Sequence, residues 1–302
     1  MLSFSSLIES SNFDNLFTPR NLLKSSFSTF FTKPLSRYEV IRRSLAPALA
    51  NQEFSLCYQP QFDLRNNQLI GVEALFRWHH PELGSVPPSE FIPLAEQGGQ
   101  IIDMGYWILA EACSQYQHWQ RQGFPTFKLA VNLSLEQLKQ PDFVRRIQRI
   151  LQDTQMPPQH LQLEVTESLV FENVDQVIAI LKDLNRLGIQ LAIDDFGTGY
   201  SSLSVLQHLP IHILKIDRSF LDGLKVVGKA RVILESIINL GHRLKLNVIA
   251  EGVENQEQIS ILHALRCDVV QGYFYSRPLT TEKITHYFDH IFFSAQLAKT
   301  TF

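Results

Sequence analysis

From Arg37 onward, eight short runs rich in β-formers alternate with stretches whose apolar residues recur at helical spacing, and this alternation restricts the fold more than any other feature. The runs centre on 54–63, 69–78, 128–134, 161–167, 190–196, 213–217, 247–253 and 269–273. Between the later runs, Phe143, Ile147, Ile150 and Leu151 make one helical face, entered after Pro141-Asp142. Val177, Ile180, Leu181, Leu184 and Leu187 make a second, closed by Gly188 as a C′ residue. Ile233, Ile237, Leu240 and Leu244 make a third. The runs Gln190–Ile193 and Asn247–Ala250 are almost continuously apolar, as strands buried on both faces require. Eight such strands alternating with helices over about 250 residues predict an α/β chain folded as a (β/α)8, TIM-like barrel. A doubly wound open sheet is the alternative, but no GxGxxG follows an early strand.

The rest of the chain fits one such domain. Apolar residues make up 45% of the 302 positions and charged residues 19%, enough for a large core. The net charge of -3 gives no bulk reason to expect a DNA or RNA polymer or a membrane surface as partner, so an anionic ligand must be met by local cations or metal ions. No apolar run approaches the roughly 18–20 residues of a membrane helix, and polar residues interrupt positions 1–15, so membrane insertion is not expected and the location reads as cytoplasmic. Cys57, Cys113 and Cys267 are widely spaced, with no zinc pattern, and read as buried thiols. Residues 1–36, rich in Ser, Thr, Asn and Phe, read as an N-terminal arm or linker, or as a partner-binding segment. The barrel domain is expected over 37–290, with a C-terminal tail over 291–302. Pro47 interrupts the pattern of Tyr38, Ile41 and Leu45, which predicts a short or kinked first helix.

The chemistry gathers at the ends of the runs. The second carries Glu73, the third ends Val131-Asn132, and the fourth holds Glu164 and Glu167. The fifth ends Asp194-Asp195, the sixth gives Lys215 and Asp217, the seventh Glu251 and Glu254, the eighth Gln271. In a barrel these ends share one mouth, so side chains up to about 200 residues apart meet there. Five acids in one cleft, Glu73, Glu164, Asp194, Asp195 and Glu251, would repel one another unless divalent cations neutralise them. Hard oxygen donors with one Asn and no cysteine favour Mg²⁺ or Mn²⁺ over zinc. A carboxylate-rich mouth beside a lysine is the equipment of two-metal phosphoryl transfer. The segment Asp195-Phe196-Gly197-Thr198-Gly199-Tyr200-Ser201-Ser202 reads as a mobile catalytic loop.

In order along the chain, Tyr58-Gln59-Pro60, Glu73-Ala74-Leu75, Asp194-Asp195-Phe196-Gly197-Thr198-Gly199, Lys215-Ile216-Asp217, Ala250-Glu251-Gly252-Val253-Glu254 and Gln271-Gly272-Tyr273 resemble the motifs of the EAL-domain phosphodiesterases, over roughly residues 37–290. The resemblance implies a barrel whose first strand is antiparallel to the others. It implies hydrolysis of cyclic di-GMP to linear pGpG, with water activated by two metal ions. By position, Glu73, Asn132, Glu164 and Asp194 would hold one ion and Asp194, Asp195 and Glu251 the other, with Asp194 bridging. Lys215 stands where the family orients the attacking water and stabilises charge. The general base stays open between Glu251, Lys215 and the metals alone. Gln59, Arg77, Asp217 and Gln271 are expected to serve the substrate, Arg77 by gripping a phosphate with its planar fork. Glu167 is expected to anchor the loop after the Asp pair, with Glu254 in a similar supporting role. A homodimer is expected by analogy. No cyclase-type GGDEF signature occurs, so synthesis of the messenger is not expected.

Some conspicuous residues are assigned to structure instead. His79 and His80 are adjacent on an extended segment and point to opposite faces, which disfavours shared metal ligation. Trp107 and Trp119 are expected in the core, and Arg145, Arg146 and Arg149 on a solvated helix face. Two rivals to catalysis remain at this stage: a receptor that binds cyclic di-GMP without cutting it, and an unrelated barrel enzyme. Every expected metal position holds the required chemical type, which favours turnover.

Overall fold

The computed structural model describes residues 35–167, 174–198 and 203–293. Eight strands close into a barrel: β1 (Phe54–Asp63), β2 (Gln68–His80), β4 (Lys128–Asn132), β5 (Leu161–Thr166), β6 (Gln190–Phe196), β7 (Ile213–Ile216), β8 (Asn247–Ala250) and β9 (Val269–Gln271). Their order is β1-β9-β8-β7-β6-β5-β4-β2, with β1–β2 pairing closing the ring. Two short strands were not anticipated: β3 (Gly84–Val86) extends the sheet beside β2, and β10 (Leu279–Thr280) lies beside β1.

β1 is antiparallel to both β2 and β9, whereas the ladders from β2 through β4 to β9 are parallel. The cause is the connection after β1. Only residues 64–67 separate β1 from β2, and a link that short joins antiparallel neighbours alone, since a parallel pair needs a crossover of a dozen or more residues. Asn67, at φ 57°, takes the left-handed conformation in that turn. The next link, β2 to β4, carries the helices Pro88–Gln97 and Ile101–Arg121 and restores parallel pairing.

The first helix, Arg37–Ala48, is capped by Ser36, whose side chain accepts from the Glu39 N–H while Glu39 reaches back. It runs through Pro47 and ends one residue later. Proline is tolerated there because only the last turn loses a bond. Residues 1–34 and 294–302, most of the arm and tail as read, lie outside the described residues; of the remainder, Ser36 caps the first helix, and Ile291 to Phe293 continue a helix over Asp289–Phe293 in which Phe292 packs on Phe288.

The helix Lys229–Arg243 corrects one expectation. Its buried stripe is Leu234, Ile237, Ile238 and Gly241, and Ile233 is 48% exposed. Gly241 sets that rotation: a Cβ there would lie 2.5 Å from Val248 Cγ2 on β8, so the glycine lets helix and strand approach closely. The other two faces are as read: Phe143, Ile147 and Leu151 are buried, as are Val177, Leu181 and Leu184. Trp119 is buried and donates to Thr285 Oγ1 (2.8 Å), while Trp107 packs at the core's edge. His80 is buried beside Ser44 Oγ (2.8 Å) and accepts from the N–H of Glu82 and Leu83, a structural role. Cys113 and Cys267 are buried thiols, each pushed up to about 12 by desolvation; Cys57 is only partly buried, contrary to expectation. Among the described residues, no helix is long and apolar enough to cross a membrane.

Candidate active site

Alternation along a strand sends every second side chain into the barrel. Near the C-terminal ends of the parallel strands, the inward positions are Glu73 on β2, Asn132 on β4, Glu164 on β5, Asp194 on β6, Lys215 on β7 and Gln271 on β9, with Glu251 one residue beyond β8. β1 runs the other way and presents Gln59, opposite Glu73 in register.

Asp195 breaks the alternation. A regular strand would point Asp194 and Asp195 to opposite faces. Between Ile193 and Phe196 the pairing of β6 with β7 shifts register, and Asp195 has φ 54°. This bulge turns the second carboxylate back toward the first. Aspartate is among the few residues that take the left-handed region at modest cost, and the Asp195 N–H donates to Asp194 Oδ1 (2.9 Å). Just beyond, Gly197 (φ 94°) passes so close to Phe220 that a Cβ would lie 2.6 Å from its ring. The Gly197 N–H donates to Glu167 Oε2 (2.7 Å), two residues after Asp195. Residues 199–202 of that loop lie outside the described residues.

Lys215 occupies the centre and is fully buried. Its Nζ lies 2.6 Å from Glu251 Oε1, 3.1 Å from Asp194 Oδ2 and 3.6 Å from Glu73 Oε2, and donates to Glu164 Oε2. Burial works against its charge, but Asp194, Glu164, Glu251 and Glu73 together hold the ammonium well above the usual lysine range. One cation does not balance five carboxylates. Burial, reinforced by Glu73 and Asp194 against the pull of Lys215, pushes Glu164 up to about 8. Burial, then Asp194 and Asp217, pushes Asp195 up to about 6. Burial also drives Glu251 well above the usual carboxylate range, and its Oε1, though near Lys215, has no partner in hydrogen-bond geometry among the described residues. A cleft so short of positive charge suits cations.

The donor atoms fall into two sets, each within 4.8 Å of one another: Glu73, Glu164 and Asp194, and Asp194, Asp195 and Glu251. Asp194 belongs to both. Asn132 joins the first set through Glu73, donating to its Oε1 (2.6 Å). Gln271 donates to Glu73 Oε2 (2.6 Å) and to Gln59 Oε1 (3.2 Å). Arg77 is partly buried; its Nη1 donates to the Phe76 carbonyl (2.8 Å), and among the described residues it forms no ion pair. Asp217 caps the turn after β7, accepting from the Ser219 N–H (3.0 Å). Glu254 stands apart: its side chain is exposed, and it enters the hydrogen-bond network through its backbone N–H to Gln258 Oε1 (2.7 Å). The motif reading passed over two buried glutamines. Gln162 donates to Glu164 Oε1 (2.6 Å), and Gln61 donates to Gln271 Oε1 (2.8 Å). Both lie two residues from a site residue on the same strand, so the period of the strand was the signal.

Three comparisons place this geometry among known proteins. The family model described as EAL domain matches residues 42–278. The signaling protein YkoW of Bacillus subtilis is 44% identical over 243 residues, covering 80% of this chain and 30% of that protein. The cyclic di-GMP phosphodiesterase NbdA of Pseudomonas aeruginosa is 38% identical over 239 residues, covering 79% of this chain and 30% of that protein. The chain thus spans under a third of the length of either relative. A solved structure titled PaMucR phosphodiesterase in complex with c-di-GMP superposes with a TM-score of 0.78 at 40% identity, covering 81% of this chain and 99% of that one.

Proposed function

Since the chain belongs to the EAL domain family, we propose that it is a metal-dependent phosphodiesterase that hydrolyses cyclic di-GMP to linear pGpG. The observation that carries this reading is the pair of carboxylate sets sharing Asp194. Glu73, Asn132, Glu164 and Asp194 would hold one divalent ion, and Asp194, Asp195 and Glu251 the other. Oxygen donors with a single amide suit Mg²⁺ or Mn²⁺. Bound there, the two ions would lower the pKa of water and neutralise charge on the phosphate.

The chain's own residues supply the rest. Lys215, held among four carboxylates, keeps Glu164, Asp194 and Glu251 converged and provides fixed positive charge beside the reacting phosphate. Arg77, free of any ion pair among the described residues, is available to grip a phosphate oxygen through its fork. Gln59 and Gln271 border Glu73 and orient the nucleotide, while Asp217 flanks Asp195. Glu167 holds the loop at Gly197 in register with the Asp pair. The folded unit of 37–290 is the catalytic part, acting in the cytoplasm, and two copies pair.

Separation of products after incubation with cyclic di-GMP and Mg²⁺ tests the reading. It requires pGpG to form and its formation to stop on chelation. Tight binding with no turnover would make the chain a receptor instead.

A further inference from the structure

Directly beneath the charged layer, one pleat further into the barrel, the inward positions are Gln61, Gly71, Ala130, Gln162, Ala192, Ile213, Ile249 and Val269. Four of them, Ala192, Ile213, Ile249 and Val269, form an apolar cluster. A glutamine in such a layer is costly unless its amide is satisfied. Gln61 is only 2% exposed, and its donor goes upward, to Gln271.

The amides form a chain with a single allowed direction. Gln271 Nε2 faces the Glu73 carboxylate (2.6 Å), which can only accept. At the other end, Gln59 Nε2 donates to the Ser276 carbonyl (3.1 Å), also an acceptor only, leaving Gln59 Oε1 to face Gln271 Nε2 (3.2 Å). Gln271 must therefore turn its NH₂ toward both neighbours and its oxygen downward. The group that meets that buried oxygen is Gln61 Nε2, at 2.8 Å. Reversing the Gln271 amide would press a carbonyl oxygen against a carboxylate oxygen. The hairpin makes room for the Gln61 side chain: a Cβ on Gly71 would lie 2.8 Å from Gln61 Oε1.

We propose that Gln61 is a positioning residue that holds the Gln271 amide in the orientation that keeps Glu73 aimed into its metal site. Among the described residues, the hydrogen bonds of Gln61 reach Glu73 through Gln271. The inference rests on the metal-holding role proposed above for Glu73. It predicts an effect confined to the set Glu73, Asn132, Glu164 and Asp194, since the hydrogen bonds that run from Gln61 through Gln271 end on Glu73, which belongs to that set and not to the set with Asp195 and Glu251.

The test is calorimetric titration of the metal-free full chain with Mn²⁺. Gln61→Met, equal in length but without the amide, should weaken one of two bound ions about tenfold or more, the usual effect of losing an outer-shell partner, and leave the other unchanged. Gln61→Leu, a second variant in case the first does not fold, carries the same expectation. In a Gln271→Met background, adding Gln61→Met should change the affinity no further, because the group through which it acts is gone. Unchanged binding of both ions by Gln61→Met, or an undiminished effect in the Gln271→Met background, overturns the inference in favour of simple packing. A parent chain that takes up no Mn²⁺ overturns the metal reading itself, a different failure visible before any variant is made.

Discussion

Two neighbouring layers of the same barrel have opposite characters. Ala192, Ile213, Ile249 and Val269 form a dry cluster. Two residues further along the same strands, or nearly so, stand Asp194, Lys215, Glu251 and Gln271, which crowd charge and hydrogen-bonding groups together. Each strand thus gives stability with one inward side chain and chemistry with the next. The upper layer works against folding when it has only Lys215 to balance it, as the raised pKa values of Glu164, Asp195 and Glu251 record. Chemistry is concentrated where strands end, and the layer below provides the rigid floor on which mutually repelling groups can be held.

Substitutions that separate the two layers sharpen this contrast. The largest effect is expected from Asp194→Asn, which takes a carboxylate from both sets at once. Turnover of cyclic di-GMP should fall by more than the ~100-fold associated with outer-shell losses, while circular dichroism stays that of the parent. One layer down the pattern should reverse. Ile249→Ala should lower unfolding free energy by about 2–5 kcal/mol, the range for buried Ile truncation, measured by denaturant titration, with much smaller loss of turnover per folded molecule.

A smaller effect, distinctive in sign, concerns pH. In the metal-free chain Glu164 and Asp195 hold protons up to about 8 and about 6. Both values lie above those of an unfolded carboxylate, so the native state binds protons more tightly. The stability that these two groups contribute should be full below about pH 4 and decline as pH rises from about 4 to about 8. Mn²⁺, which binds the ionised groups, should raise the melting temperature more at pH 8 than at pH 5. A stabilisation by Mn²⁺ that is no larger at pH 8 than at pH 5 would contradict the charged-layer description. Smallest of all, Arg149→Ala removes an exposed pair with Asp153 at 3.5 Å, outside both layers. It should shift stability by less than about 0.5 kcal/mol in the same denaturant titration.

Much of this was legible in the sequence, because a buried barrel strand leaves a strong trace: a short apolar run with an acid or amide at its end. All eight strands were read as short runs, seven of them with an acid, amide or amine near the end, and Glu73, Glu164, Asp194, Asp195, Lys215 and Glu251 do converge. What escaped depends on contacts rather than pattern. Strict alternation gives no hint of the bulge that turns Asp195 inward. The stripe of helix Lys229–Arg243 follows the close approach of Gly241 to Val248, which apolar spacing cannot report. Glu254 shares a motif with Glu251, yet its side chain is exposed and its backbone N–H is held by Gln258. Gln61 and Gln162 look like ordinary polar strand residues until their partners are seen.

Anomalous diffraction from crystals soaked in Mn²⁺ tests the central claim most directly. The account predicts two peaks in each barrel mouth, one among Glu73, Glu164 and Asp194 and the other among Asp194, Asp195 and Glu251. A mouth with no anomalous signal at saturating Mn²⁺, or ions bound only elsewhere on the chain, would contradict it.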